Sequence, residues 1–177
     1  MNGSYLATFT LGSIAAIAMA GAAMAQEVTN RVAADTDWAV FEADSPKECW
    51  AVTAPKETVN TRDGRVVSVR RGDILLFVTW RPEKSVAGEV SFTGGYPIAE
   101  GSTVTLDISG TTFELFSEGE YAWPATPAED QKIITAIKRG ANAVVTARSS
   151  RGTQTKDTFS LLGATAMIED AEQRCGS

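Results

Sequence analysis

Two cysteines, 22 acidic residues and 16 basic ones carry most of the chemistry in this chain, and there is no histidine. The missing histidine removes Ser–His and Cys–His nucleophilic machinery, together with the commonest zinc ligand. The sequence holds no G-x-S-x-G, S-x-x-K, P-loop or G-x-G-x-x-G pattern. Carboxylates do cluster, at Glu118/Glu120 and at Glu129/Asp130. A glycoside-cleaving centre needs only two acids at the right separation, so a carboxylate-based hydrolase is one reading. Two carboxyls facing each other in a cleft would favour it, and scattered ones would favour a binding protein. No residue is assigned a catalytic or metal-binding role, and no cofactor is implied.

The basic residues are more informative. Arg62, Arg65, Arg70, Arg71, Arg81 and Lys84 fall in one 23-residue window whose only acids are Asp63, Asp73 and Glu83. Arg148, Arg151 and Lys156 form a second group. Arginine dominates both, and its planar fork suits phosphate and carboxylate. The formal net charge is −6, which argues against nucleic acid as a general partner. Asp63-Gly64 is a two-residue hairpin signal, so Arg62 and Arg65 are expected to lie close together across it. If the strand runs on to Arg70, alternation puts Arg65, Val67 and Val69 on one face and Val66, Ser68 and Arg70 on the other. A turn at Ser149-Ser150-Arg151-Gly152 folded alongside would add Arg151. Among Trp50, Trp80, Tyr96 and Trp123, Tyr96 sits between Gly95 and Pro97 and is the one expected at the surface. Arg62, Arg65, Arg151 and Tyr96 are therefore the candidate ligand-binding residues, for an anionic lipid or an acidic glycan. The bland alternative is a set of solvated turns and strand faces.

Cys49 has only one potential partner, Cys175. Closing so long a loop is worth roughly 5 kcal/mol in the chain-entropy account, and such a bond belongs to an oxidising compartment. Tyr5 to Met24 is apolar and uncharged, and Ala23-Met24-Ala25 offers small residues to signal peptidase. Residues 1–25 are thus read as a cleaved signal peptide, although no Lys or Arg precedes the apolar run. An uncleaved anchor is the competing reading. Residues 26–36 are expected to be a flexible tether, and 37–177 a single domain in the periplasm or outside the cell. No stable membrane span is expected after cleavage.

The elements that must position these residues are mostly strands. Asp37–Glu42 and Cys49–Thr53 read as a first pair, and 55–60 as a connection. Ile74 to Trp80 is the most apolar run and is expected as a central strand buried on both faces. Strands follow at 86–93, 103–108, 112–116, 142–147 and 153–160, with Glu118 to Pro124 a loop or short strand. Thr126, Pro127 and Glu129 form an N-cap, a first-turn proline and a capping box. Ile133, Ile134 and Ile137 make the apolar stripe of the helix they open, and Gly140 ends it. A second helix, Ala164 to Arg174, turns Ala164, Met167, Ile168 and Ala171 to one side. The fold class is mainly β: an antiparallel sheet or sandwich of about eight strands with two packed helices, the second at the C-terminus.

Trp38, Lys47-Glu48-Cys49, Arg70-Arg71-Gly72-Asp73, Gly94-Gly95-Tyr96-Pro97 and Ser160-Leu161-Leu162-Gly163 with Cys175 fit one full-length pattern. From about Asp37 to Cys175 the chain resembles the invasion-associated locus B family of exported bacterial proteins. Many relatives carry a further cysteine soon after the first Trp. Here that region is Phe41-Glu42-Ala43, so that second bond is lacking. The family has no established active site to carry over. The resemblance implies a non-catalytic envelope or periplasmic protein that binds an envelope component or another protein, in a family whose name refers to host-cell entry. The alternatives are a hydrolase acting on an envelope polymer and a purely structural envelope protein.

Overall fold

The computed structural model describes residues 30–176. The expected signal peptide, residues 1–25, and the first residues of the expected tether lie outside that range.

The described residues open with the strands β1 (Arg31–Asp35), β2 (Trp38–Asp44), β3 (Lys47–Thr53), β4 (Glu57–Arg62) and β5 (Arg65–Val66). It continues with β6 (Leu75–Arg81), β7 (Val86–Thr93), β8 (Val104–Ile108), β9 (Thr111–Glu118) and β10 (Tyr121–Trp123). Helix α1 (Pro127–Arg139), strands β11 (Asn142–Arg148) and β12 (Gln154–Ser160), and helix α2 (Ala164–Cys175) complete it. All twelve strands join one antiparallel sheet in the order β1-β2-β3-β6-β7-β10-β9-β8-β11-β12-β4-β5. The sheet curls over on itself. Phe92 of β7 meets Phe159 of β12 edge-on, ring centroids 6.3 Å apart, and Trp38 of β2 donates its indole N–H to the Ser160 carbonyl at 3.0 Å.

Among the described residues twelve strands stand where about eight were expected, and the difference lies in short or polar segments. Arg31–Asp35, expected as tether, pairs with β2 although only Ala33 in it is even partly covered. Residues 55–60, read as a connection, supply most of β4 (Glu57–Arg62), which pairs with β12 over five residues from Thr158↔Glu57 to Gln154↔Thr61. Its single apolar residue, Val59, left no alternation to detect. The hairpin at Asp63-Gly64 is present, with Arg62 opposite Arg65, but β5 ends at Val66. Along β6, Leu76, Val78 and Trp80 are buried while Phe77 on the opposite face is half-buried. That second face is therefore only partly covered.

Both helices follow their sequence signals. The Thr126 hydroxyl accepts the Glu129 N–H at 3.3 Å, and the Glu129 carboxylate accepts the Ala125 N–H at 3.1 Å, one residue earlier than a standard capping box. Ile133, Ile134 and Ile137 are buried, each worth about 1.5–3 kcal/mol of apolar burial. Helix α2 buries Ala164, Met167, Ile168, Ala171 and Cys175, and the Cys49–Cys175 disulfide fixes its last turn to β3. Arg174 adds an ion pair to Glu42 of β2 at 3.0 Å. At the other end Gly163 has φ +87°, and a Cβ there would collide with the Asp35 carbonyl of β1. The helix is thus fitted to the edge of the sheet at both ends. Among the described residues no helix is long and apolar enough to cross a membrane.

Candidate functional site

A cleft of about 490 Å3 opens where the chain leaves β5 and passes the loop after β7 and the turn between β11 and β12. Its frame begins with a close approach of two glycines. Gly72 donates its N–H to the Gly95 carbonyl at 2.8 Å, and Gly95 has φ +68° with a would-be Cβ 2.5 Å from the Gly72 carbonyl carbon. Only glycine fits there. On the far side Ser150 donates its N–H to the Pro97 carbonyl at 2.9 Å and Ala99 to that of Arg148 at 2.8 Å. The Ser149–Gly152 turn therefore does fold alongside, through the loop that carries Tyr96.

The floor is built around Arg71 and Asp157. Arg71 is nearly buried and Asp157 wholly so. Their two-point ion pair has N···O distances of 2.7 and 2.6 Å. The remaining guanidinium bonds run from Nε to the Gly94 carbonyl at 2.9 Å and from Nη1 to Asn60 Oδ1 at 3.3 Å. The Tyr96 ring lies against the same guanidinium, 4.9 Å from its carbon to the centroid, and the Tyr96 hydroxyl meets Thr155 Oγ1 at 2.5 Å. Burial pushes the Tyr96 hydroxyl above its ordinary value, against the lowering effects of Thr155 and Arg71. Arg71 is thus a structural cation, neutralised in place.

The walls differ. Arg62 donates one Nη2 bond to Thr153 Oγ1 at 2.6 Å. Arg62, Arg70 and Arg151 line the cleft, and none of them enters an ion pair among the described residues. One carboxylate, Glu120, lines it with them. Three unpaired arginines against one acid give a locally positive concavity on a chain of net charge −6.

Of the four residues named from the sequence, Arg62, Tyr96 and Arg151 line this cleft and Arg65 does not. Arg65 does sit opposite Arg62 across the Asp63-Gly64 turn, as expected, but outside the cleft. Strand β5 ends at Val66, with one further backbone bond from the Val67 N–H to the Asn60 carbonyl at 2.9 Å, so Arg65 stays on the exposed edge strand, while the chain beyond brings Arg70 and Arg71 into the cleft. Tyr96 is half-buried rather than the exposed member of its set, because Arg71 covers its ring. Trp123 is the exposed one at 37%, Trp80 belongs to the core, and Trp50 stacks on Phe41 at 5.7 Å. The partnership of Arg71 with Asp157 had no local signal: Arg71 stood out only as a member of the basic window and of the Arg70–Asp73 stretch in the family pattern.

The acids are scattered. Each of the five principal clefts carries at most one carboxylate: Glu120 here, and Asp63, Glu48 and Glu114 in three others. Glu129 is spent on the helix cap. Asp130 is buried and accepts the Val90 N–H at 2.8 Å. Burial pushes its carboxyl up to about 6, with Glu89 and Glu129 adding to the rise. It lines none of the five clefts. Among the described residues no group of three or more metal-ligating side chains occurs.

No protein-family model matches the sequence, and no curated protein matches it. The fold is similar to the crystal structure of invasion associated protein B from Bartonella henselae, with a TM-score of 0.53 at 13% sequence identity. The match covers 80% of this chain and 97% of that one. At that identity the similarity is one of fold.

Proposed function

We propose that this chain is an exported envelope or periplasmic protein of the invasion-associated locus B type that acts by binding, through the cleft between Arg62, Arg70 and Arg151. The observation that carries this reading is three arginines without ion-pair partners among the described residues, gathered in one concavity of an acidic protein. Arg81, by contrast, is paired with Glu48 and Glu89. The Cys49–Cys175 disulfide is compatible with an oxidising compartment, and the fold of the Bartonella protein supports the family assignment. The dispersal of the acids supports binding over hydrolysis.

The test is a pull-down of the purified protein from envelope extract, wild type beside Arg62→Glu/Arg151→Glu. Both side chains are exposed, so the variant is expected to fold. Wild type should retain an envelope component that the variant loses, and retention should fall as salt rises, because exposed charges are screened within about 8 Å at physiological ionic strength. Equal retention by both proteins would remove the cleft from the function.

A further inference from the structure

Building on that reading, we infer that the ligand of the cleft is a sugar bearing an anionic substituent, a carboxylate or a phosphate. A volume of about 490 Å3 lies within the range of about 300–1,000 Å3 typical of sites for small organic molecules, far more room than a lone anion needs. The lining divides into two kinds of group. Arg62, Arg70 and Arg151 offer planar, charged donors to an anion. Glu120 is an acceptor, and it would repel a bare anion. A ligand that carries both an acidic group and free hydroxyls uses both halves: its anion meets the arginines, and its hydroxyls donate to the Glu120 carboxylate. Ser150 adds a hydroxyl, with no side-chain hydrogen bond to any described residue, that can give or take a bond.

Other small ligands fit less well. A nucleobase needs an open aromatic face, and the Tyr96 ring is half-buried against Arg71. An acyl chain needs an apolar channel, and Val69 and Pro97 are the apolar side chains in the lining other than the Tyr96 ring.

The experiment is titration calorimetry of the purified protein with a glucuronic-acid disaccharide, glucose 6-phosphate, the matching neutral disaccharide, inorganic phosphate, and vesicles of phosphatidylglycerol. An acidic sugar should bind saturably and at least tenfold more tightly than the neutral one or inorganic phosphate. Arg62→Gln and Arg151→Gln should each weaken it by about tenfold, the size of one charge-assisted hydrogen bond. Glu120→Gln should weaken the sugars and leave inorganic phosphate unchanged or tighter. Inorganic phosphate binding as well as either acidic sugar would overturn the sugar assignment, and so would preferential binding to vesicles. If neither acidic sugar binds while the arginine-dependent pull-down succeeds, the ligand class is wrong and the binding reading stands. Failure of both removes both.

Discussion

Arg71 and Asp157 lie 86 residues apart in sequence, yet meet in a two-point ion pair beneath the cleft, Nη1 to Oδ1 at 2.7 Å and Nη2 to Oδ2 at 2.6 Å. With Asp157 fully buried and the Arg71 side chain 6% exposed, removing one partner leaves an uncompensated interior charge. Arg71→Met or Asp157→Leu alone should therefore cost about 3–5 kcal/mol. Replacing both groups with apolar residues, Arg71→Met with Asp157→Leu, should recover most of that loss, because the desolvation of both charges disappears together. Chemical denaturation of the four proteins in the cycle measures it. Equal losses for the single and double variants would show that packing, rather than charge, dominates at this position.

The disulfide prediction concerns which part of the fold loosens. Cys49 and Cys175 are 126 residues apart and join α2 to β3. Cys175→Ser with Cys49→Ser should lower stability by about 2–5 kcal/mol. Local opening should concentrate in Ala164–Cys175, since Arg174 to Glu42 and Arg174 to Asp170 would then be the charged ties left near that end. Amide hydrogen exchange should rise there before it rises in β6 or β7. Uniform loss of protection would mean that the bond acts on the whole fold through the unfolded chain rather than through its last helix.

How much of this was legible in the sequence depended on whether the signal was local. The α1 helix was fully readable, because Thr126, Pro127 and Glu129 act within one turn and Ile133, Ile134 and Ile137 repeat at helical spacing. Strands β8 and β9 were readable too, expected at 103–108 and 112–116 and found paired from Val104↔Leu115 to Ile108↔Thr111. The pairing of Cys49 with Cys175 was forced by count. Strands β1 and β4 were not readable: β1, Arg-Val-Ala-Ala-Asp, is almost wholly exposed and shows no alternation although its partner is the adjoining Trp38–Phe41, while β4 is polar and takes its pairing from the distant Gln154–Thr158. The cleft was half-readable. Arg62, Arg151 and Tyr96 were reached through turn chemistry, whereas Arg70 and Glu120 enter only because β5 stops after two residues and the Gly72–Gly95 contact brings the loops together.

Asp130 gives the protein a signature in acid. Its carboxyl is raised from 3.8 to about 6, chiefly by burial and then by Glu89 and Glu129, against the Val90 amide bond. The fold thus favours the protonated form. Its contribution is complete below 3.8 and is lost as pH rises through about 6. Asp130→Asn keeps an acceptor for Val90 and does not titrate. Wild type should therefore lose about 1–2 kcal/mol relative to the variant between pH 4 and 7, a value discounted for partial solvent access. Asp37 and Glu42 work in the opposite sense. Asp37 is held below its ordinary value first by Lys56 and Glu42 first by Lys47, so their contributions are lost as pH falls through those lowered values. Those changes are common to both proteins and cancel in the difference. Parallel stability profiles for wild type and Asp130→Asn would show that Asp130 titrates normally.

Arg65 and Arg70 separate the cleft from a simple charged hairpin. Both are exposed arginines on the same stretch of chain, and both lack ion-pair partners among the described residues. Arg65 sits opposite Arg62 on the edge strand, as the turn at Asp63-Gly64 requires. Arg70 reaches the cleft because the chain leaves the sheet after Val66. Reversing the charge at either position changes net charge equally, so any effect of overall charge must be the same for the two. Arg70→Glu should reduce association with envelope fractions by about tenfold or more at low salt, the size of one charge-assisted contact. Arg65→Glu should leave association within about twofold, since a side chain outside the site acts only through a screened long-range field. Sedimentation with envelope fractions at low and high salt compares them directly. Equal losses at both positions would make the recognition a diffuse property of the basic window, and a larger loss at Arg65 would place it on the hairpin instead of in the cleft.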